Sequence, residues 1–177
     1  MSVLHTKRLI LRPFEEDDAK AMYKNWTYDE RVAKYCRWHP HENLETTKAL
    51  LKMYLEQSSK GFDYRWAIFK NETDEPIGAI DVVGTEDEGE TAEIGYVLSY
   101  DYWNKGYMSE ALYAVIDKLF NSGFTKIIAQ HHIDNVASGK VMEKCGMYYT
   151  HNGKEQAKFG SRELCEVKCF QICKNER

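Results

Sequence analysis

Between Thr91 and Gln130 the sequence runs from an alternating strand through a short polar loop into a helix, and then into a second strand. Met108, Ala111, Leu112, Val115, Ile116 and Leu119 fall at i, i+3, i+4, i+7, i+8 and i+11. That spacing is one apolar stripe along a helix, and Gly123 is placed to end it. A strand, a crossover helix and a further strand predict a parallel pair. Upstream, segments 64–69, 76–83 and 91–98 alternate as strands joined by short polar turns, which predicts an antiparallel meander. One sheet holding both kinds of pair is a mixed sheet, so the fold class is α+β.

The remaining elements extend that sheet and cover it. Residues 8–12 read as a strand ended by Pro13, and Glu15, Glu16, Asp17 and Asp18 open a helix to about Trp26, acidic at its favourable end. A second helix is predicted over 44–58, a strand over 125–130, and a helix from the N-cap Asn135 to Gly146. Strands over 147–150 and 163–173 close the chain. The order is β-α-α-β-β-β-α-β-α-β-β, about seven strands and about four helices in a single domain spanning residues 1–177.

Composition bounds the function classes. The net charge of −4 gives no basic face for nucleic acid. No apolar run approaches the length of a membrane span, and the first eight residues lack a signal-peptide core. A soluble cytoplasmic chain, monomer or homodimer, is therefore expected. The five cysteines are odd in number. Cys165, Cys169 and Cys173 share one face of the last strand with Val167 and read as small buried hydrophobes rather than metal ligands. Residues 71–104 carry ten acidic side chains and no Lys or Arg, four of them in the turn Glu86-Asp87-Glu88-Gly89-Glu90. That turn reads as a solvated hairpin tip, with a weak field favouring cationic acceptors as the alternative.

The chemistry is concentrated where the strand holding Tyr96, Val97 and Leu98 meets the loop Trp103-Asn104-Lys105-Gly106 and the helix start Tyr107-Met108-Ser109-Glu110. The free N–H groups of a first helical turn and its dipole attract an anion, and Gly106 would let a phosphate approach the backbone. A Val at position 106 should then impair ligand approach while leaving the ligand-free fold almost unchanged. The phosphate-loop and dinucleotide spacings are both absent. A plain strand–helix connection is the alternative.

These residues resemble the acetyl-CoA-binding motif of the GNAT N-acetyltransferases, in the branch named for ribosomal-protein alanine acetylation. Thr6-Lys7-Arg8-Leu9-Ile10-Leu11-Arg12-Pro13, Ala92-Glu93-Ile94-Gly95-Tyr96 and the segment from Asp134-Asn135-Val136-Ala137-Ser138 to Val141-Met142-Glu143-Lys144-Cys145-Gly146-Met147 carry the same resemblance. It implies a twisted mixed sheet whose central strands splay to hold acetyl-CoA. The pantetheine amides would pair with Tyr96, Val97 and Leu98, and the pyrophosphate would sit on the N–H groups from Asn104 through Lys105, Gly106, Tyr107 and Met108 to Ser109. Asn135 and Ser138 would face the cofactor, with Lys140 near the adenosine phosphates. Trp103 and Met108 depart from the family loop. Met142 stands where many members place a tyrosine acid, and a thioether has no proton to give. Ser138, water or nothing is then left to assist the departing thiolate, which can leave unaided.

The implied reaction is direct acetyl transfer in a ternary complex to a primary amine, either a protein N-terminal α-amine or a small molecule. No metal or nucleic-acid partner is implied. A lysine-like amine is only roughly one part in a thousand neutral near pH 7.4, whereas an α-amine is about a third neutral, so the α-amine asks less of a base. Glu93 is the first candidate base, with His131 and His132 as alternatives and Trp38 in the acceptor wall. A non-catalytic acyl-CoA-binding module is the alternative that the missing tyrosine leaves open.

Overall fold

The computed structural model describes residues 2–61 and 64–176. The strands are β1 (Leu4–His5), β2 (Leu9–Arg12), β3 (Arg65–Lys70), β4 (Gly78–Glu86), β5 (Thr91–Leu98), β6 (Lys126–His132), β7 (Tyr148–Gln156) and β8 (Leu164–Cys173). They form one sheet in the order β1-β2-β3-β4-β5-β6-β8-β7. β5 and β6 are parallel and the other neighbours antiparallel. The helices are α1 (Asp18–Met22), α2 (Glu30–Ala33), α3 (Leu44–Ser59), α4 (Tyr107–Asn121) and α5 (Val136–Lys144).

Strand alternation sorts the side chains into two cores. Trp66 and Ile68 of β3, Ala92 and Ile94 of β5, and Ile127 and Ala129 of β6 pack with the α4 stripe on one face. All six predicted stripe residues are buried there. Ala67 and Phe69 of β3 point the other way, against Phe14, Met22, Trp26 and Leu51 from the α1–α3 side. β3 is buried on both faces.

Three departures from the sequence reading have local causes. The first predicted helix reaches its expected end but changes pitch: α1 runs on into a π-turn (Tyr23–Thr27), and an extra short helix, α2, follows, where Asp29 accepts from the Arg31 N–H. Asp18 is not a solvated helix charge. It is buried, takes both guanidinium arms of Arg12 at 2.8 and 2.9 Å, and accepts from the Glu15 N–H at 2.8 Å. The β8 cysteines do share the Val167 face, but they are half-buried, because Phe170 and Ile172 turn the opposite face into the core. The acidic tip is exposed but ordered: Asp87 accepts from Thr91 Oγ1 at 2.7 Å and from Lys126 at 3.1 Å.

The Arg12–Asp18 pair yields a stability prediction. Removing one partner of a buried pair leaves the other charge uncompensated, so Asp18→Ala should lower the unfolding free energy by about 3 kcal/mol in urea titration. A loss below about 1 kcal/mol would mean that solvent replaces the carboxylate.

Candidate functional site

β5 and β6 part company partway along. Their parallel pairing covers Thr91–Lys126, Ala92–Ile127 and Glu93–Ile128 and then stops, although β5 continues to Leu98 and β6 to His132. On its other edge β5 stays paired with β4 as far as Leu98. The gap is therefore flanked by strand backbone from Ile94 to Leu98, whose polar groups on that side have no strand partner. Buried or half-buried backbone groups of this kind call for a partner.

The loop after β5 ends at the mouth of this gap. Trp103, which departs from the family pattern, anchors it: its Nε1–H donates to the Leu98 carbonyl at 2.8 Å, and its ring lies 4.9 Å from that of Tyr100. Asn104 (φ 59°) and Gly106 (φ 78°) both take the left-handed conformation. That reversal starts α4 at once, with its first bond from the Glu110 N–H to the Gly106 carbonyl at 3.1 Å. The N–H groups of Tyr107, Met108 and Ser109 precede that bond and have no helical acceptor. The Met108 side chain is buried in the core, so only its backbone is available there.

Arg8 was not assigned a role from the sequence. It donates to Glu110 Oε2 at 2.6 Å and to the Lys105 carbonyl at 3.0 Å, and stacks 4.3 Å over the Tyr107 ring. It thus offsets the one acidic charge in the first turn of α4 and braces the loop against β2. Lys105 itself donates to the Asp101 carbonyl at 2.7 Å.

On the α4–α5 side, Asn135 caps α5 by accepting from the Ser138 N–H at 3.4 Å. The Tyr96 hydroxyl crosses from β5 to that helix, 2.8 Å from Ser138 Oγ and 3.0 Å from the Ser138 carbonyl. Lys140 is exposed on α5, and Met142 is 1% exposed in the core. His131 also lies on this side. It is buried beneath Gly139, where an added Cβ would come within 2.7 Å of its Nε2, and its Nδ1 is 2.8 Å from the His132 carbonyl. Burial lowers its pKa. That position sets His131 apart from Glu93, on the opposite face of the sheet.

Glu93 points toward the α1–α3 side. It accepts from Gln130 Nε2 at 3.3 Å, a side-chain bridge just past the last paired residues of β5 and β6. Its pKa is raised, first by burial and then by the nearby Glu155 carboxylate, with Arg37 acting in opposition. Arg37 pairs with Glu155 at 3.3 Å. His132, stacked 5.3 Å from Tyr35, lies on this side too. Trp38 is edge-on to His41 at 5.9 Å and packs on the α1–α3 core. Lys158, in the β7–β8 turn, holds this wall: its ammonium donates to the carbonyls of Ala33 and Cys36, each at 2.7 Å, and of Trp38 at 3.1 Å. No sequence signal marks that clamp.

Among the described residues, no group of three His, Cys, Asp or Glu side chains could hold a metal ion, and no helix is long and apolar enough to cross a membrane. A cleft of about 500 Å³ lined by Asp87, Thr91, Lys126 and Lys174 lies at the paired end of β5 and β6, away from the gap.

Residues 8–148 match the family described as the acetyltransferase (GNAT) domain. An uncharacterized N-acetyltransferase p20 of Bacillus licheniformis is 32% identical over 99% of this chain and 98% of its own length. A ribosomal-protein-serine acetyltransferase of Escherichia coli is 28% identical over 80% of this chain and 79% of its own. The solved structure of a ribosomal L7/L12 alpha-N-protein acetyltransferase in complex with coenzyme A superposes with a TM-score of 0.83, at 18% identity, over 99% of this chain and 100% of that one.

The left-handed Gly106 corrects the expectation that a side chain there leaves the ligand-free fold untouched. An added Cβ meets only Arg8 Nη2, at an ordinary 3.5 Å, so the cost comes from the backbone. Gly106→Ala should lower the unfolding free energy of the ligand-free protein by about 1 kcal/mol in urea titration. An unchanged midpoint would mean that the loop relaxes out of this conformation.

Proposed function

The chain belongs to the GNAT acetyltransferase family, and we propose that it transfers the acetyl group of acetyl-CoA to a primary amine by direct attack in a ternary complex. The loss of pairing between β5 and β6 beyond Glu93 and Ile128 carries this reading. A strand edge with unsatisfied N–H and C=O groups suits the amides of a pantetheine arm, which would pair with Tyr96, Val97 and Leu98. The same edge leads to the first turn of α4, where the N–H groups from Asn104 to Ser109 suit a pyrophosphate. Asn135, Ser138 and Lys140 would line the other wall.

The two faces of the gap divide the labour. Glu93 opens toward the α1–α3 side, so the amine would approach from there, between His132 and the Trp38 wall. Glu93 takes a proton from the ammonium through a water, and the nitrogen lone pair attacks the thioester carbon. As the carbonyl re-forms, the C–S electrons pass to sulfur and CoA leaves as a thiolate, with the Ser138 hydroxyl donating a hydrogen bond to it, and the second proton on the adduct nitrogen passes to solvent water. A thiolate of pKa near 8.5 leaves tolerably well, which fits the burial of Met142 at the family's tyrosine position. The α-amine of a protein N-terminus is the favoured acceptor, because it ionises near neutrality and because a relative carries the name ribosomal-protein-serine acetyltransferase.

Glu93→Gln keeps the shape and removes the proton acceptor. Turnover at pH 7 should fall roughly a hundredfold, acetyl-CoA affinity should hold, and part of the rate should return at pH 9 as the amine deprotonates itself. The raised pKa of Glu93 sets the sign for the wild type: lowering the pH protonates this base sooner than an exposed glutamate, and activity falls with it. Wild-type turnover in the variant would remove Glu93 from the mechanism. Tight acetyl-CoA binding with no thiol release across an amine panel would instead support a non-catalytic acyl-CoA-binding module.

A further inference from the structure

Two hydroxyls meet across the gap and carry only two hydrogens between them. Tyr96 stands on β5 and Ser138 at the third residue of α5. The phenol oxygen is 2.8 Å from Ser138 Oγ and 3.0 Å from the Ser138 carbonyl. If serine donates to the phenol and the phenol to the carbonyl, both hydrogens are consumed. If the phenol donates to Ser138 Oγ, the serine hydrogen is free to point at a third atom. The carbonyl does not need the phenol, because within α5 it can accept from the N–H four residues on. Asn135 holds the serine backbone from below, and buried Met142 brings no donor from the next turn.

We propose that Tyr96 is a positioning residue for acetyl transfer: its phenol donates to Ser138 Oγ and turns the serine hydrogen toward the departing thioester sulfur. This rests on the reading of Ser138 given above and adds to it the group that orients the hydroxyl. Without the phenol, a helical serine tends to donate back to a carbonyl of the preceding turn, and its hydrogen is lost to the sulfur. Burial raises the pKa of Tyr96, so the phenol keeps its hydrogen across the working pH range. No proton leaves Tyr96 in the step: one ammonium proton goes to Glu93 and the second to solvent water, the C–S pair goes to sulfur, and the two hydroxyls only donate hydrogen bonds.

The test is single-turnover acetyl transfer from acetyl-CoA by the wild type, Tyr96→Phe, Ser138→Ala and the double variant. Phe keeps the ring volume, and circular dichroism with acetyl-CoA titration checks that fold and affinity are retained. Tyr96→Phe should slow the chemical step about tenfold with little change in acetyl-CoA Kd, and the double variant should be no slower than Ser138→Ala. The Tyr96→Phe deficit should shrink with an acetyl-CoA analogue whose thiol is more acidic, since a better leaving group needs less help. 3-Fluorotyrosine at position 96 keeps the donor and should restore the rate. Ser138→Ala at the full wild-type rate would overturn the serine reading itself. A slow Ser138→Ala beside a fully active Tyr96→Phe, additive losses in the double variant, or a fluorotyrosine enzyme as slow as Phe would overturn the role of Tyr96 while leaving that reading intact.

Discussion

Backbone hydrogen bonding is what this site is built from. A strand in the middle of a sheet spends its N–H and C=O groups on two neighbours, yet β5 loses one neighbour after Glu93 while keeping the other to Leu98. The parallel crossover makes this possible, since β6 is tied to β5 only at their shared beginning and to β8 along its whole length. The residues proposed for binding and chemistry are arranged around that parting. The loop that starts α4 sits at its end, α5 forms a wall, and two side-chain bridges cross it, Glu93–Gln130 on one face and Tyr96–Ser138 on the other.

The two faces differ in the charged groups they present. Toward α4, Arg8 offsets Glu110, so the first-turn N–H groups and their dipole keep their pull on an anion. Toward α1–α3, Glu93 and Glu155 stand with Arg37, and the Lys158 ammonium holds the same wall. Burial is the first cause that raises the pKa of Glu93, which fits the proposed role of base.

The sequence made the frame legible wherever one face of an element is apolar. The α4 stripe from Met108 to Leu119 is buried as its periodicity predicts, and the crossover it implies is the parallel pair of the structure. β1, with only Leu4 and His5, is too short to show a period. The role of Asp18 was hidden because four consecutive acids suggest solvated charges at a helix start, whereas Asp18 serves the Arg12 guanidinium. Alternation continues in both β5 and β6 past the point where they separate, so periodicity cannot reveal the gap, and only the family resemblance pointed to it. The Lys158 clamp spans 125 positions to Ala33, and no local pattern encodes such a contact. The meeting of Tyr96 with Ser138 is equally non-local, since it depends on how far the gap opens.

The central claim is that the free edge of β5 and the first turn of α4 together receive acetyl-CoA. Residue-resolved amide hydrogen exchange with and without saturating acetyl-CoA tests it most directly. The account predicts new protection at the β5 amides between Gly95 and Leu98 that face away from β4, and at Tyr107, Met108 and Ser109, with the amides already paired to β4 unchanged. Protection confined to other elements, with these amides exchanging as they do in the free protein, would contradict it.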